Sequence, residues 1–327
     1  MTDGVIRSTG VRLSRLGFGA ASIGNLYGAV DDVTAAAAVD AAWEVGVRYF
    51  DTAPHYGLGL SERRLGAALA RRPRTELVVS TKVGRLIEPR ETPMPLDDEG
   101  FAVPGNLRRR RDYSRDGVLR SLEASLERTG LDRIDVVYIH DPDDHWADAV
   151  DKVVPTLVEL REQGVVRAIG VGMNQSAMLA RFLRETDVDV AMLAGRYTLL
   201  EQDALDDVLP AAEAGDRSVV AVGVFNSGLL SQNRPGPGAK YNYTDASPDL
   251  VQRASELADV CERHGTTLPA AAVAFPFGHP SVVNVTLGMQ TAAQVERNAA
   301  LACSTVPVEL WSELKQCGLL REDAPTP

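Results

Sequence analysis

Cysteine is scarce in the 327-residue chain: Cys261, Cys303 and Cys317 include no CxxC pair and no zinc-type spacing. That argues against a disulfide framework and against a structural metal site. Basic charge is also short, with 34 Lys and Arg against 45 Asp and Glu and a formal net charge of −11. Nucleic acid and anionic membrane are disfavoured as partners, because both reward a surplus of cations. One basic island, NLRRRRDYSR from Asn106 to Arg115, runs against the trend and reads as a solvated loop. No apolar run approaches the roughly 18 residues of a membrane span. The opening MTDGVIRSTG has no charged-then-apolar signal pattern, so the expected location is the cytoplasm. No Pro/Ser-rich linker and no internal repeat divides the chain, and one domain over residues 1–327 is expected. What remains, 45% hydrophobic and 24% charged residues, suits a soluble globular enzyme.

Short apolar runs alternate with segments of helical period. Strands are predicted at Arg15–Phe18, Val47–Asp51, Leu77–Lys82, Ile134–His140, Val166–Gly170, Val188–Leu193, Val219–Val222 and Val282–Leu287. Helices are predicted at Val33–Val45, Ser61–Ala70, Arg115–Thr129, Ala149–Gln163, Gln175–Arg184, Ala204–Ala214, Pro248–His264 and Ala292–Ala302. Eight strand-then-helix units fit an α/β fold of the closed (β/α)8 barrel type, with a doubly wound sheet as the alternative. Two segments, Gly84–Ser114 and Asn226–Pro248, hold too much Pro and Gly for long helices and read as long loops. In a barrel both would lie at the C-terminal face, where active sites form.

Polar residues end three neighbouring strands. Val47, Tyr49 and Phe50 read as a buried strand running into Asp51, where an unpaired carboxylate would cost several kcal/mol. Asp51 therefore needs a cationic partner. Lys82 ends the next strand in VVSTK, His140 ends the one after in VVYIH, and Tyr56 follows Asp51 by five residues. Taken singly, Lys82 reads as a surface lysine, His140 as a hydrogen-bonded core histidine and Tyr56 as a rim aromatic. Their convergence at one rim suggests a reaction centre.

Phe50 to Gly66, FDTAPHYGLGLSERRLG, resembles the signature FDTAxxYGxGxSExxLG of the aldo-keto reductase family. The likeness extends from LSRLGFGAASIG to VTLGMQTAAQVERNAA. It implies a (β/α)8 barrel with catalytic residues Asp51, Tyr56, Lys82 and His140. Within the family, RYFDTAPHYGLGLSERRLG, STKVGRL and DRIDVVYIHDPDDH are most similar to members that oxidise L-fucose and D-threo-aldoses at C1. Pyridoxal-oxidising members share much of the pattern. The resemblance thus implies NAD-dependent oxidation of an aldose to its lactone, with L-fucose as the leading substrate. Pyridoxal oxidation and general aldehyde or ketone reduction are the alternatives. In such chemistry a cation beside a tyrosine lowers its pKa, so Lys82 is expected to let Tyr56 act as acid or base near neutral pH, while Asp51 holds Lys82 and His140 orients the reacting oxygen.

Cofactor contacts are likewise implied by the resemblance. In AIGVGMNQS the family has a Ser-Asn pair; here Gly172 and Met173 precede Asn174, which is the transferred residue. Its alternative reading is a helix cap before Ser176. The VFNSGLL stretch supplies Phe225 for the nicotinamide and Asn226, Ser227 and Leu229 for the pyrophosphate. Gly19 and Ala20 leave room beside the ring. Relatives that prefer NADP carry cations after the last strand, whereas LGMQTAAQVERNAA offers Gly288, Met289, Gln290 and Gln294, with Arg297 the lone cation. NAD is therefore expected over NADP, with Gln294 and Asn298 at the ribose and adenine end. Asn25, Tyr27, His55, His145 and Trp146 are the candidate substrate contacts. A Rossmann dehydrogenase is a competing class, but GFGAAS, GLGLSE and GVGMNQ all lack its third glycine. A nicotinamide-binding regulatory subunit is the non-enzymatic alternative.

Overall fold

A computed structural model describes residues 3–236, 238–242 and 244–327. Eight parallel strands close into a barrel: β1 (Leu16–Gly19), β2 (Tyr49–Asp51), β3 (Val78–Val83), β4 (Val136–His140), β5 (Ala168–Met173), β6 (Val190–Ala194), β7 (Ser218–Val222) and β8 (Val282–Gly288). Each overlaps a predicted strand, and β8 pairs with β1 to complete the ring. The strands are short and almost wholly buried, because apolar side chains face both the barrel interior and the surrounding helices. Register aligns the strand ends: Gly19 lies opposite Asp51, Asp51 opposite Ser80, and Lys82 opposite Tyr138.

Local capping fixes the helices that follow. Asp31 accepts from the backbone N–H of Thr34 before Asp32–Glu44, and Ser114 accepts from Gly117 before Arg115–Thr129. The predicted helix Ala149–Gln163 begins as a π-helical turn, Ala149–Val153, and continues as Val154–Glu162. Only Val208–Ala214 of the predicted Ala204–Ala214 is α-helical. Two further helices, Leu268–Ala274 and Val308–Gln316, close the outer layer. Among the described residues no helix is long and apolar enough to cross a membrane.

Three hairpins depart from the sequence expectation. Gly4–Ile6 and Val11–Leu13 pair across the N-terminal end of the barrel, packing Ile6, Val11 and Leu13 with Tyr49, Tyr138 and Val283. Three-residue strands are too short to show a period. Second, Gly84–Ser114 is not the expected loop, since Arg85–Met94 pairs antiparallel with Gly105–Arg111. The basic island is one arm of this hairpin rather than a solvated loop. Its arginines are answered by nearby acids, Arg110 by Glu88 on the opposite arm at 2.7 Å and by Asp112 at 3.0 Å, and Arg109 by Asp97 in the connecting segment at 2.5 Å. Finally, a two-residue hairpin, Lys240–Tyr241 with Thr244–Asp245, lies within the second long segment.

Candidate active site

At the C-terminal rim, β2 and β3 put Asp51 against Lys82. The Lys82 ammonium donates to Asp51 Oδ2 at 2.7 Å and to the Thr52 carbonyl at 3.0 Å, and both side chains are buried. Such a pair is strongly destabilised by loss of either member, by about 3–5 kcal/mol, because the survivor is a desolvated charge. Ser80 donates to Asp51 Oδ1 at 2.7 Å. A hydroxyl has one proton and a carboxylate only accepts. The 3.0 Å contact of Ser80 with Tyr49 and the 3.1 Å contact of Tyr49 with Tyr138 then form a chain of donors ending on Asp51.

Tyr56 stands on a tight loop after β2. Gly57 makes the loop possible, with φ 61° and a position where a Cβ would lie 2.2 Å from the Gly24 carbonyl oxygen. The following helix, Leu60–Leu69, is tied back to the barrel by Ser61, which donates to the Ala20 carbonyl, and by buried Glu62, which accepts from Thr81 and Arg128. The signature residues outside the reaction centre thus hold the Tyr56 loop in place. Lys82 Nζ lies 4.7 Å from the centre of the Tyr56 ring. Burial nevertheless raises the Tyr56 pKa to about 12, against the opposing pull of Lys82. The expected depression toward neutrality is not reached in the protein alone, because desolvation outweighs the cation.

His140 presents its ring edge-on to Tyr56 at 5.9 Å between centroids. Burial, reinforced by Arg85 and Lys82, holds its pKa well below that of ordinary histidine. A neutral imidazole carries one N–H and one lone pair, suited to a hydrogen bond with a substrate oxygen. The same forces take His55 to about 2, burial first and then Arg85 and Arg109. Lys82 moves the other way: burial opposes its charge, but Asp51 and Tyr56 together raise its pKa.

His55, Tyr56, Lys82 and His140 line one cavity of about 600 Å³, whose remaining walls include Tyr27, Arg85, Phe101, Asp141 and Met192. The other predicted substrate residues lie elsewhere. Asn25 is buried, donating to the Ala102 carbonyl and accepting from Val30 and Arg64, so it ties loops together. His145 stacks on Tyr113, and Trp146 packs between Phe182 and Arg181; neither lines the cavity. Conversely, sequence reasoning missed Arg85 and Asp141, although they follow Lys82 and His140 within three residues and one residue. It also missed Glu99, Gly100 and Phe101, contributed by the hairpin segment.

A second cavity of about 560 Å³ adjoins the first, sharing Leu26, Tyr27, Asn174, Ala194 and Gly223 as walls. Asn174, Phe225, Asn226, Ser227, Gly288, Gln290, Gln294 and Asn298 line it, together with Arg297. Asn174 is not the helix cap, a position taken by Gln175. Three predicted cofactor residues fall outside. Leu229 and Ala20 are fully buried, and Gly19 is a pairing residue of the barrel wall. Met289 is also buried in the core. Gly223, with φ 66°, starts a turn that continues through Asn226 and Ser227, both also at positive φ. Asn226 Oδ1 is buried without a hydrogen-bond partner. The amino end of Ala292–Cys303, capped by Thr291, opens beside Gln290 and Gln294, and helix amino ends favour anions. An unsatisfied amide oxygen, a helix amino end and a cleft of about 560 Å³ lined by several amide side chains fit a dinucleotide.

The aldo/keto reductase family pattern matches residues 15–318. Along its full length the chain is 46% identical to 99% of a D-threo-aldose 1-dehydrogenase of a Pseudomonas species. Over 95% of its length it is 36% identical to 96% of a pyridoxal 4-dehydrogenase of Microbacterium luteolum. The fold is shared with the glycerol dehydrogenase of Gluconobacter oxydans, at TM-score 0.77 and 24% identity over 99% of this chain and 97% of that one. The chain belongs to the aldo/keto reductase family, oxidoreductases that act on CH–OH groups and use nicotinamide cofactors.

Proposed function

We propose that this enzyme oxidises an aldose at its anomeric hydroxyl to the lactone, with NAD as acceptor, Tyr56 as the acid/base and L-fucose as the leading substrate. The observation that carries the reaction centre is the meeting of Tyr56, Lys82 and His140 in a cavity that adjoins a dinucleotide-sized cleft. At the level of substrate, support comes from the 46% identity to a D-threo-aldose 1-dehydrogenase. Tyr56, as phenolate, takes the hydroxyl proton. Lys82 stabilises the phenolate, Asp51 holds Lys82, and His140 donates to the substrate oxygen and fixes its direction. A nicotinamide dinucleotide held along Asn174, Phe225, Asn226, Gln290 and Asn298 would supply the hydride acceptor that the anomeric carbon needs. Pyridoxal oxidation is the second reading, favoured by the relative at 36% identity.

The preference for NAD rests on the cleft beyond β8. Gly288, Gln290 and Gln294 carry no charge, and Arg297 donates to the Ser231 carbonyl. Gln294 accepts from the Gln290 backbone N–H at 2.9 Å, so part of its polar capacity serves the helix end. Without a dedicated cation, a ribose phosphate forgoes charge-assisted bonds of about 1.5–3 kcal/mol each. The test is kcat/KM for NAD and NADP across a panel of aldoses and pyridoxal, with chromatographic detection of the lactone or its sugar acid. Lactone from L-fucose and an advantage of at least about tenfold for NAD are expected. Efficient oxidation of pyridoxal alone, or a reversed cofactor ratio, overturns the corresponding half of the proposal.

A further inference from the structure

Arg85 and Asp141 sit in the wall of the substrate cavity, outside the group of four that performs the chemistry. Arg85 Nη2 donates to Asp141 Oδ2 at 2.7 Å, and His140 Nε2 is 3.5 Å from that same oxygen. The pair is therefore fixed beside the ring expected to hold the reacting oxygen. Arg85 is buried, and its Nε has no hydrogen-bond partner. The Nε of Arg74, Arg90 and Arg217 is likewise without a hydrogen-bond partner, but those side chains line neither cavity, so it is the placement of Arg85 in the cavity wall, paired to Asp141, that sets it apart. Asp141 is held at φ 42°, a conformation that non-glycine residues adopt chiefly where the surrounding structure imposes it.

A carboxylate only accepts hydrogen bonds and a guanidinium only donates them. Each sugar hydroxyl does both. Two adjacent hydroxyls can therefore bridge such a pair, one donating to the carboxylate and the other accepting from the guanidinium. An anionic ligand gains much less, because its charge meets a cation already neutralised. The rest of the cavity has the same balance. Lys82 is committed to Asp51, and Glu99 lies 3.5 Å from Arg109, which is itself paired with buried Asp97.

We infer that Arg85 and Asp141 form a diol-binding subsite that selects uncharged polyols over phosphorylated or carboxylated ones. The inference rests on the reading of this cavity as the place of reaction, and it does not depend on which aldose is oxidised. It is tested in the reductive direction, using D-glyceraldehyde, which has two hydroxyls beside its carbonyl, and propanal, which has none. In both Asp141→Asn and Arg85→Lys the ratio of kcat/KM for glyceraldehyde over propanal should fall at least about tenfold, mainly through KM for glyceraldehyde. A merely structural role would lower both substrates together and leave the ratio within about twofold of wild type, which would overturn the subsite.

The wild-type enzyme supplies a measurement independent of whether the variants fold. D-Glyceraldehyde 3-phosphate should be at least about tenfold poorer than D-glyceraldehyde in kcat/KM, and an equal or better phosphorylated substrate overturns the inference. Failure of the broader reading looks different. If no aldose yields a lactone while the glyceraldehyde ratio falls in both variants, aldose oxidation fails and the subsite stands. If L-fucose yields its lactone while the ratio holds, the subsite alone fails.

Discussion

The two cavities meet at Leu26, Tyr27, Asn174, Ala194 and Gly223, yet they are built on different principles. The substrate cavity has aromatic and apolar walls into which a few charged side chains near strand ends are set, each held by a partner, as Lys82 is by Asp51 behind it and Arg85 by Asp141. The neighbouring cleft is lined mostly by loop backbone, amides and small residues, with Arg297 reaching across to the Ser231 carbonyl. Strand ends anchored in a closed sheet hold charges to within the tolerance that proton transfer demands. Turns at positive φ expose backbone instead, which suits recognition of a long ligand by many modest contacts. Chemistry and cofactor grip should therefore be separable by mutation.

The sharpest separation is Tyr56→Phe. Turnover should fall by about a hundredfold to ten-thousandfold while cofactor affinity, followed by fluorescence titration, is retained. Parallel loss of both would mean that the cavities are not independent. A smaller effect is expected on the pH profile. With Tyr56 as the proposed base, oxidation draws on the phenolate, and its rate should rise as pH climbs toward the Tyr56 pKa, pushed up to about 12 by burial. Lys82 lowers that pKa; Lys82→Met removes the stabilising charge and should move the rising limb to higher pH. An unmoved or downward-shifted limb in stopped-flow measurements would show that Lys82 does not tune Tyr56.

Gly223→Ala addresses the other side of the comparison. An added Cβ would sit 3.2 Å from the Gly195 nitrogen in a left-handed conformation, costing about 1–2 kcal/mol. Denaturant unfolding should register that loss, and cofactor Kd should rise with a smaller change in the hydride-transfer rate at saturating cofactor. The reverse pattern would place Gly223 with the chemistry.

The parts of this architecture legible in the sequence are those set by local pattern. All eight barrel strands were marked by short apolar runs, and Asp51, Lys82 and His140 stood out because each ends such a run. Tyr56 became legible through the signature around it. The hairpin from Arg85 to Arg111 was hidden because proline and glycine obscured its alternation. Its arginines also find their acids only after the chain folds, as Arg109 does with Asp97. Asn25, His145 and Trp146 failed as cavity residues for a related reason. A polar or aromatic residue in a loop has many possible neighbours: here Asn25 is taken up by loop backbone, His145 by Tyr113, and Trp146 by Phe182 and Arg181 of the Ser176–Glu185 helix.

The sequence by itself determined a barrel and which polar residues end its neighbouring strands, since strand period and strand end are properties of consecutive residues. Tertiary structure decided how those residues behave. Whether Lys82 or burial governs Tyr56 depends on how much water the surrounding walls exclude. The pairing of Arg85 with Asp141 depends on two strand ends 56 residues apart in sequence arriving side by side. Desolvation and Coulomb energy depend on distance in space, and only the closed barrel sets those distances.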